Sequence, residues 1–575
     1  MEYSNFRELI DDVCDRYPQN IAFRMRRGNG AFDELEFAEV KKRVHRYAAA
    51  LTALGMHKGD RLGLISENRI EWTLTYLSAV YNGIVVVPFD IHTSQQGLAV
   101  YAEFADLKGI AFSEKYSQQA RVMCAAPPAC RLQIHFDQET FEAQEKTSGS
   151  SAHLLADMLS TEPAAAADEL PPLERQDPAA IIFTSGTTGN PKGVTLSHYG
   201  IIANSNASKA SLPIDEHDNF VAVLPFHHTY PTTCSFVSPF SVGGAVTIVE
   251  KIIGQKIIAD IRDSRGSIII GVPLLFDKLK KGIGGKLEQL PPVKRNLIRL
   301  MRSISRMGLK LGLPLGRGLF KGLREKAGLN SLRLLVSGGG PLAHTTALFF
   351  EELGFKIVQG YGMSENGPLI TTNTEKRCDN RSAGLPVVNT DIRIADKDNA
   401  GIGEIQVTSP SLMLGYFRNP EATKAAFTAD GYLKTGDLGY FDRRGFLFIN
   451  GRSKNMIVTS GGKNVFPEEI EVLFPEGGPI AEVLIMGQEL KNSRGERVIA
   501  VCVPDYEGLK EVNGGRLPTA TEIEQMIKTE IAKVNRRLES HQKIERTYIR
   551  SEPFEKTASD KIKRFLYKQY AQPEE

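Results

Sequence analysis

The segment Thr184 to Gly193, reading TSGTTGNPKG, packs hydroxyls, glycines and a lysine into one short stretch. Thr184, Ser185, Thr187 and Thr188 offer hydroxyl donors, Gly186 and Gly189 free backbone N–H groups to point at a ligand, and Lys192 brings an ammonium. Donors of these three kinds in a single loop suit a triphosphate. A Walker A loop does not describe it, because counting GxxxxGK[ST] from Gly186 puts Pro191 where the second glycine belongs and Gly193 after the lysine. A plain surface turn would not require this density of Thr, Ser and Gly directly after the wholly apolar run AAIIF.

Further segments carry chemistry-bearing residues: LPFHHTYP with His227 and His228, GYGMSEN with Tyr361, Ser364 and Glu365, TGDLG with Asp437, GRSKNMIVTSGGKNVFPEEIE with Arg452 and Lys454, and KIKR with Lys561. Together with TSGTTGNPKG and GDRLGLISENRIEW they stand in the order of the adenylate-forming superfamily of acyl-CoA synthetases, adenylation domains and luciferases. The chain resembles that superfamily along its length.

The resemblance implies two steps: a carboxylate attacks the α-phosphorus of ATP and expels pyrophosphate, then a thiol attacks the acyl-adenylate and expels AMP. Glu365, with Thr184, would hold a Mg²⁺ that bridges phosphate oxygens, since this ion takes hard oxygen ligands. The loop from Thr184 to Gly189 with Lys192 would cradle the phosphates. Gly339, Gly340, Gly360, Tyr361, Gly362 and Ser364 would line the nucleotide, with Tyr361 stacked on adenine and Ser364 offering a hydroxyl where the family more often has Thr. Asp437 would accept hydrogen bonds from the ribose hydroxyls and Arg452 would donate to the same sugar or its phosphate. Lys561 would reach both the incoming carboxylate and the α-phosphate. The family usually shows Gly-Lys there, whereas this chain has Asp560-Lys561, and Lys556 and Lys563 are alternative cations. Lys454 aligns with a hinge about which a small C-terminal domain rotates between the two half-reactions; in the second, the loop Ser460 to Asn464 would approach the thiol.

The acid pocket falls to Gly338, His227 and His228, although a glycine turn and satisfied structural histidines fit the same residues. Residues 278–326 carry 14 Lys/Arg against two Glu, interleaved with Leu, Ile, Met and Phe, and resemble an insertion of long-chain fatty acyl-CoA synthetases. Such a stretch can lie on an anionic bilayer, where a fatty acid partitions, or form a solvated helical face. The expectation is a long-chain fatty acid–CoA ligase using ATP, CoA and Mg²⁺, with peripheral membrane contact through 278–326. The alternatives are a ligase that loads an acyl-carrier protein and a non-catalytic lipid- or nucleotide-binding relative.

These residues need a frame. Apolar runs of strand length recur (AAIIF, FVAVLP, AVTIVE, SIIIGVP, LRLLVS) between helix-compatible segments, which argues for parallel sheet covered by helices. The clearest unit is strand Leu332–Val336, the turn Ser337–Pro341, an amphipathic helix Leu342–Leu353 closed by Gly354, and strand FKIVQ. Ligands meet such sheets at the carboxyl ends of the strands. The helix pattern from Leu35 to Leu54 ends at Gly55, and GDRLGLIS and NGIVVVPFD read as buried strands. The stretch Lys146–Asp177 reads as a surface connection. The expected fold is α/β: a large N-terminal domain (1–450) of doubly wound α/β subdomains with a small β subdomain about 384–450, a hinge at 451–456, and a small mobile α+β domain over 457–575.

Composition adds bounds. A chain of 575 residues is long enough for several folding units. With 70 Lys+Arg against 68 Asp+Glu, nothing global points to nucleic acid. The acidic start MEYSNFRELIDDVCDRYP is unlike a signal peptide and no run approaches a membrane span, so the expectation is a cytoplasmic protein, membrane-associated at most on the cytoplasmic face. Six cysteines lacking a CxxC pair read as reduced and structural.

Overall fold

The computed structural model describes residues 2–26, 28, 30–138, 151–160, 170–184, 192–250, 252–461, 463–475, 477–490, 495–556 and 562–572. The chain divides into two compact units, one of residues 1–391 and 407–433, the other of 392–406 and 434–575.

Two sheets organise the first unit. In the nine-stranded sheet, Lys356–Gly362, Leu334–Ser337, Ile268–Gly271, Asn219–Ala222, Ala245–Ile248 and Ile21–Arg26 run parallel in that spatial order, with antiparallel strands at both edges. Strands such as Leu334–Ser337 and Ile268–Gly271 are buried along their whole length, as strands covered on both faces must be, which is why they read as unbroken apolar runs. The expected βαβ unit is present: Leu334–Ser337, helix His344–Glu352 and Lys356–Gly362, with Leu334 opposite Lys356 in the parallel register. The eight-stranded sheet is likewise parallel through Val85–Pro88, Arg61–Ile65 and Gly109–Phe112. Its other end turns antiparallel, through Pro178–Thr184, Lys192–Ser197 and Gly415–Tyr416.

The helix expected over Leu35–Leu54 spans Phe37–Ala53, with Gly55 at φ +83°, the left-handed conformation that ends a helix most cheaply in glycine. The stretch expected as a surface connection is partly structured. Ser151–Leu154 pairs in parallel with Leu132–His135 at the sheet edge, and helix Leu155–Ser160 follows, burying Leu155 and Met158. Residues 146–150 and 161–169 of that region lie outside the described residues.

In the second unit, Ile480–Glu489 and Glu496–Pro504 pair antiparallel, Arg546–Ile549 joins in parallel, and helix Ala520–Asn535 buries Ile523, Ile527, Ile531 and Val534. Thr519 and Glu522 close a reciprocal capping box at the start of that helix. The β-rich region is divided between the units: 407–433 belong with the first, whereas 392–406 and the strands from 434 onward group with the C-terminal residues. No helix among the described residues is long and apolar enough to cross a membrane.

Candidate active site

The Ser/Thr/Gly loop joins two antiparallel strands, with Thr184 opposite Lys192 in the register. Residues Ser185, Gly186, Thr187, Thr188 and Gly189, with Asn190 and Pro191, lie outside the described residues. The stem leads into a strand and not into a helix, a second departure from the P-loop pattern, in which the loop opens a helix. The Thr184 hydroxyl donates to the Lys192 carbonyl at 3.4 Å. Gly193 permits a close approach: a Cβ there would stand 2.9 Å from Ile181 and 3.3 Å from Phe417. That approach lets the Phe417 N–H donate to the Gly193 carbonyl at 2.7 Å and seats the short strand Gly415–Tyr416 on the lysine-bearing strand.

Glu365 lies in the turn Ser364–Asn366, immediately beyond the carboxyl end of Lys356–Gly362. The turn is tied down on both sides. Asn366 is buried, its amide donates to the Leu369 carbonyl at 2.8 Å, and its side-chain oxygen accepts from Ser409 at 2.7 Å. The Met413 N–H donates to the Glu365 carbonyl at 2.8 Å. These bonds bring Tyr416 to the glutamate, and its hydroxyl donates to Glu365 Oε1 at 2.8 Å. Lys192 Nζ stands 4.9 Å from the centre of the same tyrosine ring. Lys192, Tyr416 and Glu365 thus form one cluster. Among the described residues only Tyr416 donates to the Glu365 carboxylate, and a hard oxygen ligand oriented by a neighbouring donor fits Mg²⁺. Burial, and then the Glu365 charge, push the Tyr416 phenol well above its ordinary value, so it remains a donor. Sequence reasoning missed Tyr416: its segment, LMLGYF, carries no local signal, and its role comes from pairing with a strand far away in the chain.

Gly360, Tyr361, Gly362 and Ser364 occupy the end of the same strand and the turn after it, with Tyr361 and Ser364 half-buried. Gly339 adopts φ +81° in the turn after Leu334–Ser337, with Gly340 beside it. Gly338 is a packing position first: a Cβ there would lie 2.7 Å from the Tyr230 ring.

His227 and His228 follow the strand Asn219–Ala222. Asn68 positions them by bridging two backbone groups, donating to the Leu224 carbonyl at 2.7 Å and accepting from the Phe226 N–H at 2.8 Å. The two imidazoles meet edge to face at 4.3 Å, and His227 Nε2 lies 3.4 Å from Asp90 Oδ1, a neighbour that sequence reasoning did not single out. Burial holds His227 well below its ordinary value, with repulsion from His228 and His92 adding to it. Burial also lowers His228, with Asp90 opposing. Both are therefore neutral at pH 7, and the Nε2 atom of each is buried without a hydrogen-bond partner among the described residues. Such a pair can accept or donate to a polar group brought by a ligand.

The second unit assembles its own pair. Asp437 faces Arg452 across the ladder, buried, with Arg452 Nε 2.9 Å from its Oδ1. Lys454 is exposed in the short turn Ser453–Asn455. Lys561 lies outside the described residues. Of the two alternative cations, Lys556 is 2.8 Å from Glu482 and Lys563 3.3 Å from Glu555.

The AMP-binding enzyme family matches over residues 10–417. The chain is 28% identical over 520 residues to the long-chain-fatty-acid–CoA ligase heimdall of Drosophila melanogaster, covering 84% of this chain and 74% of that protein. It is also 28% identical over 590 residues to the mitochondrial medium-chain acyl-CoA ligase ACSF2 of Bos taurus, covering 97% and 86%. Among solved structures, the anthranilate CoA ligase AuaEII in complex with anthranoyl-AMP superposes with a TM-score of 0.78 at 18% identity, covering 99% of this chain and 98% of the other. ATP-bound MatB from Rhodopseudomonas palustris gives 0.74 at 24%, covering 99% of both. At these identities the structural likeness speaks for the fold.

Proposed function

This chain belongs to the AMP-binding enzyme family, and from that premise we propose that it activates a long-chain fatty acid with ATP and passes the acyl group to CoA, releasing AMP and pyrophosphate. The observation that carries the reading is the cluster of Lys192, Tyr416 and Glu365 at the stem of the Ser/Thr/Gly loop. It pairs an ammonium for phosphate oxygens with a carboxylate oriented for a cation, which is what charge crowding at an α-phosphorus requires.

In this reading Glu365, with Thr184, holds Mg²⁺, which when bound with ATP neutralises phosphate charge. Lys192 and the loop from Thr184 to Gly189 grip the phosphates. Gly339, Gly340, Gly360, Tyr361, Gly362 and Ser364 line the nucleotide, and Asp437 with Arg452 takes the ribose. Lys561 stabilises the charge that develops as the acid attacks; the carboxylates already beside Lys556 and Lys563 support choosing it over them. Residues 451–456, with Lys454, act as the hinge for residues 457–575. His227, His228 and Gly338 face the acid. Acid-dependent ATP–pyrophosphate exchange, run across acyl chain lengths, tests the first step, and loss of exchange with every fatty acid refutes the reading. Comparing CoA with a phosphopantetheinyl carrier protein as acceptor tests the second.

The proposal includes peripheral contact with an anionic membrane through 278–326. Helix Pro292–Lys310 is apolar on two sides: Ile298 and Met301 pack on the core, whereas Val293, Leu297, Leu300, Ile304 and Met307 face solvent at helical spacing. The same helix carries Lys294, Arg295, Arg299 and Lys310 with no acidic residue of its own, although Arg299 pairs with Glu288 at 2.7 Å, and anionic lipid complements an apolar stripe on a basic helix. Replacing Leu297 and Leu300 with Ser should release the protein from vesicles containing phosphatidylserine; unchanged co-sedimentation refutes the contact.

A further inference from the structure

Cys124 is the penultimate residue of the helix Ser117–Ala125, and Cys130 stands two residues before the strand Leu132–His135. Between them runs Ala125-Ala126-Pro127-Pro128-Ala129, whose two prolines restrict the backbone, and the Cys130 N–H closes the turn on the Pro127 carbonyl at 3.1 Å. The two Sγ atoms stand 2.6 Å apart. That is only about 0.6 Å beyond an S–S bond of ~2.0 Å. The turn has therefore already placed the thiols for bonding, so little further chain entropy is lost in joining them.

The remaining cysteines are a built-in contrast. Burial raises the thiols of Cys14, Cys234 and Cys502 to about 12 and that of Cys378 to about 11, which leaves them poor nucleophiles. Cys124 moves the other way, its thiolate favoured by the Cys130 S–H. Cys130, half-buried, keeps the proton of the pair, its own thiol pushed up by the neighbouring Cys124 sulfur and by burial.

We infer that Cys124 and Cys130 are a reversible oxidation site whose co-reactant is a low-molecular-weight disulfide such as glutathione disulfide. The Cys124 thiolate, with the proton of the pair on Cys130, attacks one sulfur of the small disulfide and expels the other half as a thiolate. Cys130 then gives up its proton, attacks Cys124 Sγ in the mixed disulfide and expels the second half. Two protein thiols are oxidised, one small disulfide is reduced to two small thiols, and the two protein protons pass to them. The inference rests on the thiol pair alone and does not depend on the ligase reading.

The test treats the full-length protein with glutathione disulfide, quenches in acid, alkylates under denaturing conditions and reads tryptic peptides by mass spectrometry. Trypsin releases Val122–Arg131 with both cysteines on one peptide. The expected product is that peptide short of two hydrogens and free of glutathione, with Cys14, Cys234, Cys378 and Cys502 still alkylated. Cys130→Ser should halt at a glutathione adduct on Cys124. A wild-type protein that stops at the adduct, or keeps both thiols, overturns the site.

Discussion

Two glutamates in the first unit show how differently a fold can treat the same side chain. Glu352 ends the helix His344–Glu352, is wholly buried, and meets Arg302 at 2.8 Å and Arg306 at 2.5 Å, both from the basic helix Pro292–Lys310. Its charge is matched twice over and nothing further can be asked of it. Glu365 is half-buried and, among the described residues, its carboxylate receives only the Tyr416 hydroxyl, with the Lys192 ammonium on that ring rather than on the carboxylate. A carboxylate saturated by guanidinium holds structure together, whereas one oriented by a neutral donor keeps its charge for a ligand. The contrast also divides the basic segment, since two of its arginines are tied to Glu352 while its outer apolar stripe faces solvent.

The comparison is broken most forcefully at Glu365. Glu365→Gln should cut ATP–pyrophosphate exchange by roughly 10²–10³-fold, about 3–4 kcal/mol in the barrier, without lowering the thermal midpoint. A variant that unfolds early but exchanges normally would make this glutamate structural. Glu352→Gln should do the reverse. It should lose about 2 kcal/mol of stability, less than for a fully buried pair because both arginines can turn to water, while low-temperature exchange is kept. Differential scanning calorimetry against exchange rate separates the two cases. Tyr416→Phe should sharpen the contrast with a smaller effect, an exchange rate about tenfold lower and a higher Mg²⁺ requirement, as expected when a group orienting a metal ligand is lost.

The smallest effect lies in pH. Because the Tyr416 phenol is raised by burial and by Glu365, the folded protein keeps it protonated past about pH 10, where an unfolded tyrosine ionises. Its stabilisation is present below that pH and lost as the pH climbs through the folded value. The ultraviolet titration difference between wild type and Tyr416→Phe should therefore show no phenolate at about pH 10.

Much of the frame was legible because buried parallel strands and amphipathic helices announce themselves locally. Leu334–Ser337, His344–Glu352 and Lys356–Gly362 fall within about three residues of where apolar runs and Gly354 put them. Ser151–Leu154 escaped notice because an edge strand needs few apolar residues, and its Ser- and Ala-rich surroundings read as a linker. The division of the β-rich region between units was equally hidden, since alternating strands record which face is buried but not which neighbour buries it.

By itself, the sequence determined the chemistry on offer: the Ser/Thr/Gly loop with its lysine, a glutamate in a turn after a buried strand, and an aspartate and an arginine in short β segments. It also determined the local elements that carry them, because burial pattern and turn residues act over a few positions. Tertiary structure alone decided the pairings. The two-residue strand Gly415–Tyr416 lands on Lys192–Ser197 through backbone bonds that any side chains could make, and so Tyr416 reaches Glu365 unannounced. The twofold matching of Glu352 was settled in the same way, because distance and desolvation exist only once the chain has folded.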